Sequence, residues 1–238
     1  MPASSTPRKR PVVAIDGPAG SGKSTTARLA AAALGFVHLD SGALYRAVTL
    51  LALELPGPPE AWRPKALADL ARRKSVAMVP GGTPPHGAVT VGGADPGDRL
   101  RGEAVTREVS RVAAMAEVRD FVNGILRGLA REGGVVLDGR DIGTAVFPDA
   151  EVKIYLVADA GERARRRLLE RGRTTDAAAL RSEEDALTRR DEKDSHRSVA
   201  PLARAKDAVL VDTTDLTIDE QVRTVVNLVR ERAGSGPS

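Results

Sequence analysis

The sequence predicts an α/β fold: a five-stranded parallel sheet with helices on both faces, interrupted by one insertion. Three observations carry this prediction. A glycine-rich loop joins the first apolar run to a helix. Five short apolar runs alternate with helical stretches, as in a parallel sheet covered on both sides. One segment rich in Gly and Pro breaks that alternation. With 238 residues, a chain buries roughly 70–75% of its unfolded surface, enough for one domain with an insertion.

The first run, residues 12–16, is β-branched and reads as a buried strand. Gly17-Pro18-Ala19-Gly20-Ser21-Gly22-Lys23-Ser24-Thr25 follows, with the spacing G-x-x-x-x-G-K-S/T. Residues 24–34 are rich in Ala, Leu and Arg and predict a helix ending near Gly35. Strand, glycine turn and helix N-terminus aim several backbone N–H groups at one point, where the helix dipole favours an anion. Lys23 is then set to reach the β- and γ-phosphates, and the Ser24 hydroxyl to ligate Mg²⁺. These residues predict a nucleoside triphosphate site.

The second strand is expected at 36–39, followed by Leu39-Asp40-Ser41-Gly42-Ala43-Leu44-Tyr45-Arg46. Asp40 or Ser41 can cap the next helix. Arg46 then lies about one turn inside it, where it can grip a second phosphate. A third strand, 135–137, ends in Asp138-Gly139-Arg140-Asp141. Nucleoside triphosphatases place a carboxylate near Mg²⁺ at such a strand end, which nominates Asp138. Capping its own turn is the alternative for that residue. Strands at 152–157 and 208–211 complete the sheet. Ile218, Val222, Val225, Val226 and Val229 then stand at helical spacing in a closing helix over 218–232.

Ten of the eighteen residues from 80 to 97 are Gly or Pro, and they flank a short apolar run at 88–91. With the apolar run at 76–79 before it, this predicts a small antiparallel hairpin outside the main sheet. The insertion is therefore drawn at 56–115, with the core at 11–55 and 116–232. Residues 172–180 lie between two Arg-rich helical stretches and are expected to form a lid. Arg163 and Arg167 share a face at i, i+4, and Arg190, Asp194 and Arg197 share another at i, i+4 and i+7. Surface ion pairing accounts for such clusters equally well by spacing alone. Clamping a transferring phosphoryl group requires the same arrangement.

Composition removes several functions. No Cys occurs, which excludes disulfides and thiol catalysis and fits a reducing cytosol. No apolar run approaches the roughly 18 residues of a membrane span. The net charge of +4 comes from basic residues interleaved with acids, and aromatics make up only 3%. That argues against a nucleic-acid surface and for a local basic cluster around a small polyanion. His38, His86 and His196 show no metal-ligand spacing. Residues 1–10, with Arg8-Lys9-Arg10, are expected to be a solvated tail, and 233–238 a disordered end.

The ordered series of motifs resembles bacterial cytidylate kinases. It comprises Asp-Gly-Pro-Ala-Gly-Ser-Gly-Lys-Ser-Thr at 16–25, Leu-Asp-Ser-Gly-Ala-Leu-Tyr-Arg at 39–46, Asp-Gly-Arg-Asp-Ile-Gly-Thr at 138–144 and Phe-Pro-Asp-Ala at 147–150. Arg-Arg-Asp-Glu-Lys-Asp-Ser-His-Arg-Ser-Val-Ala-Pro-Leu at 189–202 completes it. The resemblance implies a P-loop kinase with an enlarged nucleoside-monophosphate domain and a closing lid. It implies ATP and Mg²⁺, with CMP and dCMP as acceptors, in a cytoplasmic monomer.

Carried over residue by residue, Arg46 and Arg197 hold the monophosphate, with Ser41 beside them and Arg140 in the same motif. Ser110, Arg119 and Asp141 match the cytosine-reading set. Arg190 and Asp194 match contacts near ribose and phosphates. Arg163 and Arg167 match the pair near the ATP adenine and phosphates. Lys23, Arg140, Arg167 and Arg190 are the expected catalytic cations. The chain departs from the family at Leu100-Arg101-Gly102-Glu103-Ala104-Val105, where Ile-Arg-Thr-x-Glu-Val is usual, and at Ala116, where Pro is usual. Rival readings are a kinase of UMP or shikimate, a P-loop switch, and a nucleic-acid binder using the basic tail. The guanine-reading Asn-Lys-x-Asp of the switch class is absent.

Overall fold

Strand β1 (Val12–Asp16) is buried along its whole length, as a strand apolar on both faces must be at the centre of a sheet. The computed structural model describes residues 8–234. Parallel to β1 lie β5 (Val135–Asp138) on one side and β6 (Val152–Val157) on the other. Beyond them lie β2 (Val37–Asp40) and β7 (Val209–Asp212), also parallel. These are the five predicted strands, displaced by at most one residue at either end.

The pleat sends alternate β1 residues to opposite cores. Val12 and Ala14 pack in the larger one with α2 (Ser41–Leu53), α3 (Pro64–Arg73), α4 (Glu103–Ala113) and α5 (Ala116–Leu129). Val13 and Ile15 pack with Ala27, Ala30 and Ala31 of α1 (Lys23–Leu34) and with Val225, Val226 and Val229 of α8 (Ile218–Gly234). Ile218, expected on that same stripe, stays exposed at the mouth of a cavity. Helices α6 (Ala160–Glu170) and α7 (Ala177–Ser195) form a hairpin beside the phosphate loop.

Two expectations are corrected here. The hairpin β3 (Ala77–Gly81) and β4 (His86–Thr90) does not stand outside the main sheet. His86 pairs with His38 in parallel register, so the sheet has seven strands in the order β3-β4-β2-β5-β1-β6-β7. The outer edge of β2 offered free backbone groups, and β4 satisfies part of them. The basic tail is also docked where it is described. Arg8 pairs with Asp149 at 2.7 Å and Glu151 at 2.9 Å, and the Arg10 guanidinium lies 4.5 Å from the centre of the Phe36 ring. Opposite charge and an aromatic face hold these side chains to the core. Residues 1–7 and 235–238 of the two expected tails lie outside the described residues.

Candidate active site

At the carboxyl edge of the sheet the chain turns from β1 into α1 through three glycines with positive φ. A side chain at Gly17 would place its Cβ 2.0 Å from the Leu156 carbonyl oxygen, so the loop passes β6 closer than any other residue allows. Gly22, at φ 86°, caps α1 without a side-chain hydrogen bond, and no acidic residue follows in the first turn. The first N–H groups of α1 are thus left for an incoming anion. Lys23 is buried and donates to the Pro18 carbonyl and, at 3.2 Å, to Ser21 Oγ. Burial, with Arg140 nearby, pushes its pKa well below the ordinary lysine value. An ammonium held this way gains from a negative phosphate.

Beside the loop, Ser24 Oγ donates to Asp138 at 2.5 Å, and His38 Nε2 meets the other Asp138 oxygen at 2.7 Å. Burial opposes ionisation of Asp138, but the His38 hydrogen bond and charge outweigh it and hold this carboxyl below its usual range. Ser24 and Asp138 together offer the hard oxygen donors that Mg²⁺ takes alongside substrate phosphates. Among the described residues, no group of three or more His, Cys, Asp or Glu side chains is placed to hold a metal ion. Asp40 caps α2, accepting from the Ala43 amide at 3.1 Å. The Ser41 hydroxyl instead donates to the Asp138 carbonyl at 2.7 Å, tying α2 to the end of β5.

A cavity of about 690 Å³ opens from the loop toward α2 and α4. Ala19, Gly20, Gly22, Lys23, Ser24 and Thr25 line one end, while Gly17, Pro18 and Ser21 lie behind them. Ser41, Arg46, Ser110, Asp141, Asp194 and Arg197 line the other end, with Arg140, Arg167 and Arg190 also on its wall. Arg46, half-buried, reaches the Leu100 carbonyl at 3.0 Å and Thr106 Oγ at 2.9 Å, which draws the insertion to α2. Burial, only partly offset by Asp40, lowers its pKa to about 10, with Arg167 adding to the effect. Arg190 keeps part of its surface in the cavity, while its Nε is buried without a partner. Burial and then the neighbouring Arg140 and Arg46 lower it to about 9. Cations crowded to this degree around one space lack anions.

Asp141 anchors the far end. Its two oxygens accept from the buried Arg119 and, at 2.9 Å, from Arg197. Arg119 also donates to the Ala113 carbonyl and lies 5.5 Å from the Tyr45 ring centre. Arg140 donates to Asp194 at 3.2 Å.

Two sequence expectations change. Helix α7 stops at Ser195, so Arg197 does not share a helical face with Arg190 and Asp194. His196 caps the helix, and Ala200 takes φ 48° in the loop beyond it. From this loop Arg197 still reaches Asp141. Arg163 and Arg167 face different surroundings: Arg167 lines the cavity and pairs with Glu170 at 2.9 Å. Arg163 instead turns under the phosphate loop, to Asp191 and to the Ala19 carbonyl at 2.9 Å.

Sequence reasoning gave no role to Asp16, His38 or Asp191. Asp16 accepts from the amides of Ile142 and Gly143 at 2.8 and 2.7 Å, holding the single π-type turn after β5 against β1. Its position at the end of a buried strand was the available signal. His38 acts through Asp138, 100 residues away, and Asp191 through Ala19 and Arg163, 172 and 28 residues away, which no local pattern reveals.

The cytidylate kinase family model matches residues 13–231. Cytidylate kinase from Geobacillus kaustophilus is 46% identical over 231 residues, covering 95% of this chain and 100% of that protein. Cytidylate kinase from Geobacter sulfurreducens is 43% identical over 232 residues, covering 97% of each. Among solved structures, shikimate kinase from Acinetobacter baumannii is similar at 16% identity, with a TM-score of 0.42 and 97% of each chain covered. The chain, matched along nearly its whole length, belongs to the cytidylate kinase family.

Proposed function

We propose that the enzyme transfers the γ-phosphoryl group of ATP to CMP, and to dCMP, with Mg²⁺ as its metal. One observation carries the assignment of residues to roles. Lys23, Arg46, Arg140, Arg167 and Arg190 converge on one cavity, and burial depresses Lys23, Arg46 and Arg190 because too few anions face them. A triphosphate and a monophosphate supply those anions.

ATP lays its phosphates across the amides of the loop and the start of α1, where Lys23 exchanges the Pro18 carbonyl for phosphate oxygens. Ser24 and Asp138 would hold Mg²⁺, which would supply positive charge against the phosphates. CMP enters from the α2 side, its phosphate between Arg46 and Arg197. The acceptor oxygen is already anionic, so no general base is required. Arg140, Arg167 and Arg190 then spread charge off the group in flight, worth several kcal/mol when such donors are preorganised.

Cytosine meets Asp141, with Ser110 across the cavity. Each Asp141 oxygen already accepts from a guanidinium, yet a carboxylate has about four acceptor sites, so capacity remains for the exocyclic amine. Arg119 and Arg197 fix the carboxylate before the base arrives. Uracil presents no amine there. A coupled assay with MgATP against CMP, dCMP, UMP and shikimate tests the reading. Phosphorylation of CMP and dCMP far ahead of the others is expected, and a panel without preference for the cytosine nucleotides overturns it.

A further inference from the structure

We propose that Asp191 is a positioning residue that ties the crest of the phosphate loop to helix α7, so that the donor and acceptor ends share one strut. The proposal rests on the reading of 17–25 as the triphosphate seat. Asp191 lies outside every role assigned above. One of its carboxylate oxygens accepts from the Ala19 amide at 2.8 Å, and the other accepts from Arg163. Arg163 in turn donates to the Ala19 carbonyl at 2.9 Å. Both peptide groups of Ala19 are thereby gripped from the α6–α7 hairpin and not from the sheet.

Packing follows the same connection. Ala19 is buried with Ala164 of α6 and Leu187 of α7. A Cβ at Gly20 would come within 3.2 Å of Arg163, so the crest rests directly on these helices. Asp191 sits between Arg190 and Asp194, which line the cavity. Helix α7 therefore presents acceptor-side groups on one flank and the loop tether on the next. Any shift of α7 that brings Arg190 toward an acceptor phosphate also moves the carboxylate that shapes the donor loop. A hydrogen-bonded carboxylate at partial burial is the type of contact whose loss is felt at its partner.

The test is calorimetry on the full chain with Mg²⁺, using the β,γ-imido analogue of ATP with and without CMP, for wild type, Asp191→Ala and Asp191→Asn. In wild type, CMP is expected to tighten binding of the imido analogue. Asp191→Ala should weaken the analogue about tenfold and remove most of the CMP effect, while CMP alone binds within about twofold of wild type. Asp191→Asn still accepts from the Ala19 amide, though its Nδ2 donor cannot pair with Arg163, and should recover part of the loss. Independent binding of the two ligands to wild type overturns the inference, as does an Asp191→Ala variant with unchanged affinity and coupling. Equal loss of both ligands by both variants, with early melting, assigns Asp191 to the fold alone and also overturns it. Failure of wild type to bind the imido analogue overturns the triphosphate reading itself, which separates the two failures.

Discussion

The donor end of the cavity is made of backbone, and the acceptor end is made of side chains. Residues 17–25 form one continuous turn whose amides and glycine geometry create the seat, with Lys23 its one cation. Arg46, Ser110, Arg140, Asp141, Arg190, Asp194 and Arg197 come instead from α2, α4, the turn after β5, α7 and the loop beyond it. A backbone seat needs little electrostatic balancing, because its dipoles are fixed by the fold. A side-chain seat must keep its cations apart from one another until the ligand comes. Carboxylates do this only in part here: Asp141 serves Arg119 and Arg197, Asp194 serves Arg140, and Arg190 Nε is left unpartnered. Both ends therefore store electrostatic cost, in Lys23 at the donor end and in Arg46 and Arg190 at the acceptor end, and the donor end adds the geometric constraint.

The largest effect should come from the lysine of the phosphate loop. Lys23→Ala should lower kcat about a hundredfold or more, because the charge is better used in the transition state than in the ground state. Its melting temperature should not fall, since the buried ammonium is a cost without phosphate. A variant keeping a third or more of wild-type kcat at saturating ATP would remove Lys23 from the phosphate site.

Next comes a residue that should cost activity and return stability. Arg190→Met should lower kcat/KM for CMP by about tenfold to a hundredfold. The sign for stability follows from its pKa, which burial lowers from the ordinary arginine value to about 9. The unfolded chain holds that proton more tightly than the folded one, so charged Arg190 opposes folding at every pH below about 9. Stability due to this group rises only as pH climbs above about 9. At pH 7 the Met variant should melt higher, by roughly 2–4 °C for each kcal/mol regained in a chain of this size. Melting scans without ligand check it, and a lower melting temperature would show that Arg190 is adequately compensated.

The same division explains what could be read from the sequence. The donor end was legible because strand, glycine turn and helix are consecutive, and each has a local signature. The five core strands were legible because burial on both faces leaves continuous apolar runs. The acceptor end could be listed only through motifs in order, not assembled. Nothing in 195–201 foretold that Arg197 leaves the helix and still reaches Asp141. Nor did the i, i+4 spacing of Arg163 and Arg167 foretell that one faces the cavity and the other lies beneath the loop. The β3–β4 hairpin was recognised by its turn residues, but its single pair with β2 depends on tertiary closure. His38, Asp16 and Asp191 share this invisibility: each matters through a partner supplied by another part of the chain.

A third experiment asks whether the acceptor end reads the base as well as the phosphate. Asp141→Ala should lower kcat/KM for CMP by about tenfold or more, the scale of a charged hydrogen bond. UMP should lose less, since it offers no amine to the carboxylate. Removing the carboxylate also leaves Arg119 and Arg197 without their shared partner, so affinity for the imido analogue of ATP and thermal melting are measured in parallel. Equal losses for CMP and UMP would leave Asp141 as an anchor for the two guanidiniums and nothing more.

The smallest expected effect concerns the loop that joins α6 to α7. Residues 171–178 are exposed. The amides of Gly172 and Arg173 bond back to Leu169 and Leu168, at 3.0 and 2.9 Å. Those of Ala178 and Ala179 bond to the Asp176 cap, at 3.0 and 2.9 Å. Among the described residues, the amides of Thr174, Thr175, Asp176 and Ala177 have no acceptor. Across the cavity mouth this loop touches the insertion through Arg173 and Glu103 at 3.6 Å, and nearby through Arg101 and Glu170 at 3.4 Å. Exposed pairs of this kind contribute only about 0–1 kcal/mol, too little to hold the mouth shut. Phosphates bound to Arg46 on one side and to Arg167 and Arg190 on the other would add the missing attraction. Hydrogen exchange should therefore slow several-fold at 174–177 when CMP and the imido analogue of ATP are both bound, and less with either alone. The loop amides of 17–22 should respond to the ATP analogue by itself. If 174–177 exchange equally fast in the free and doubly liganded enzyme, α6 and α7 form a fixed wall. The difference between the two ends of the cavity would then be one of composition and not of motion.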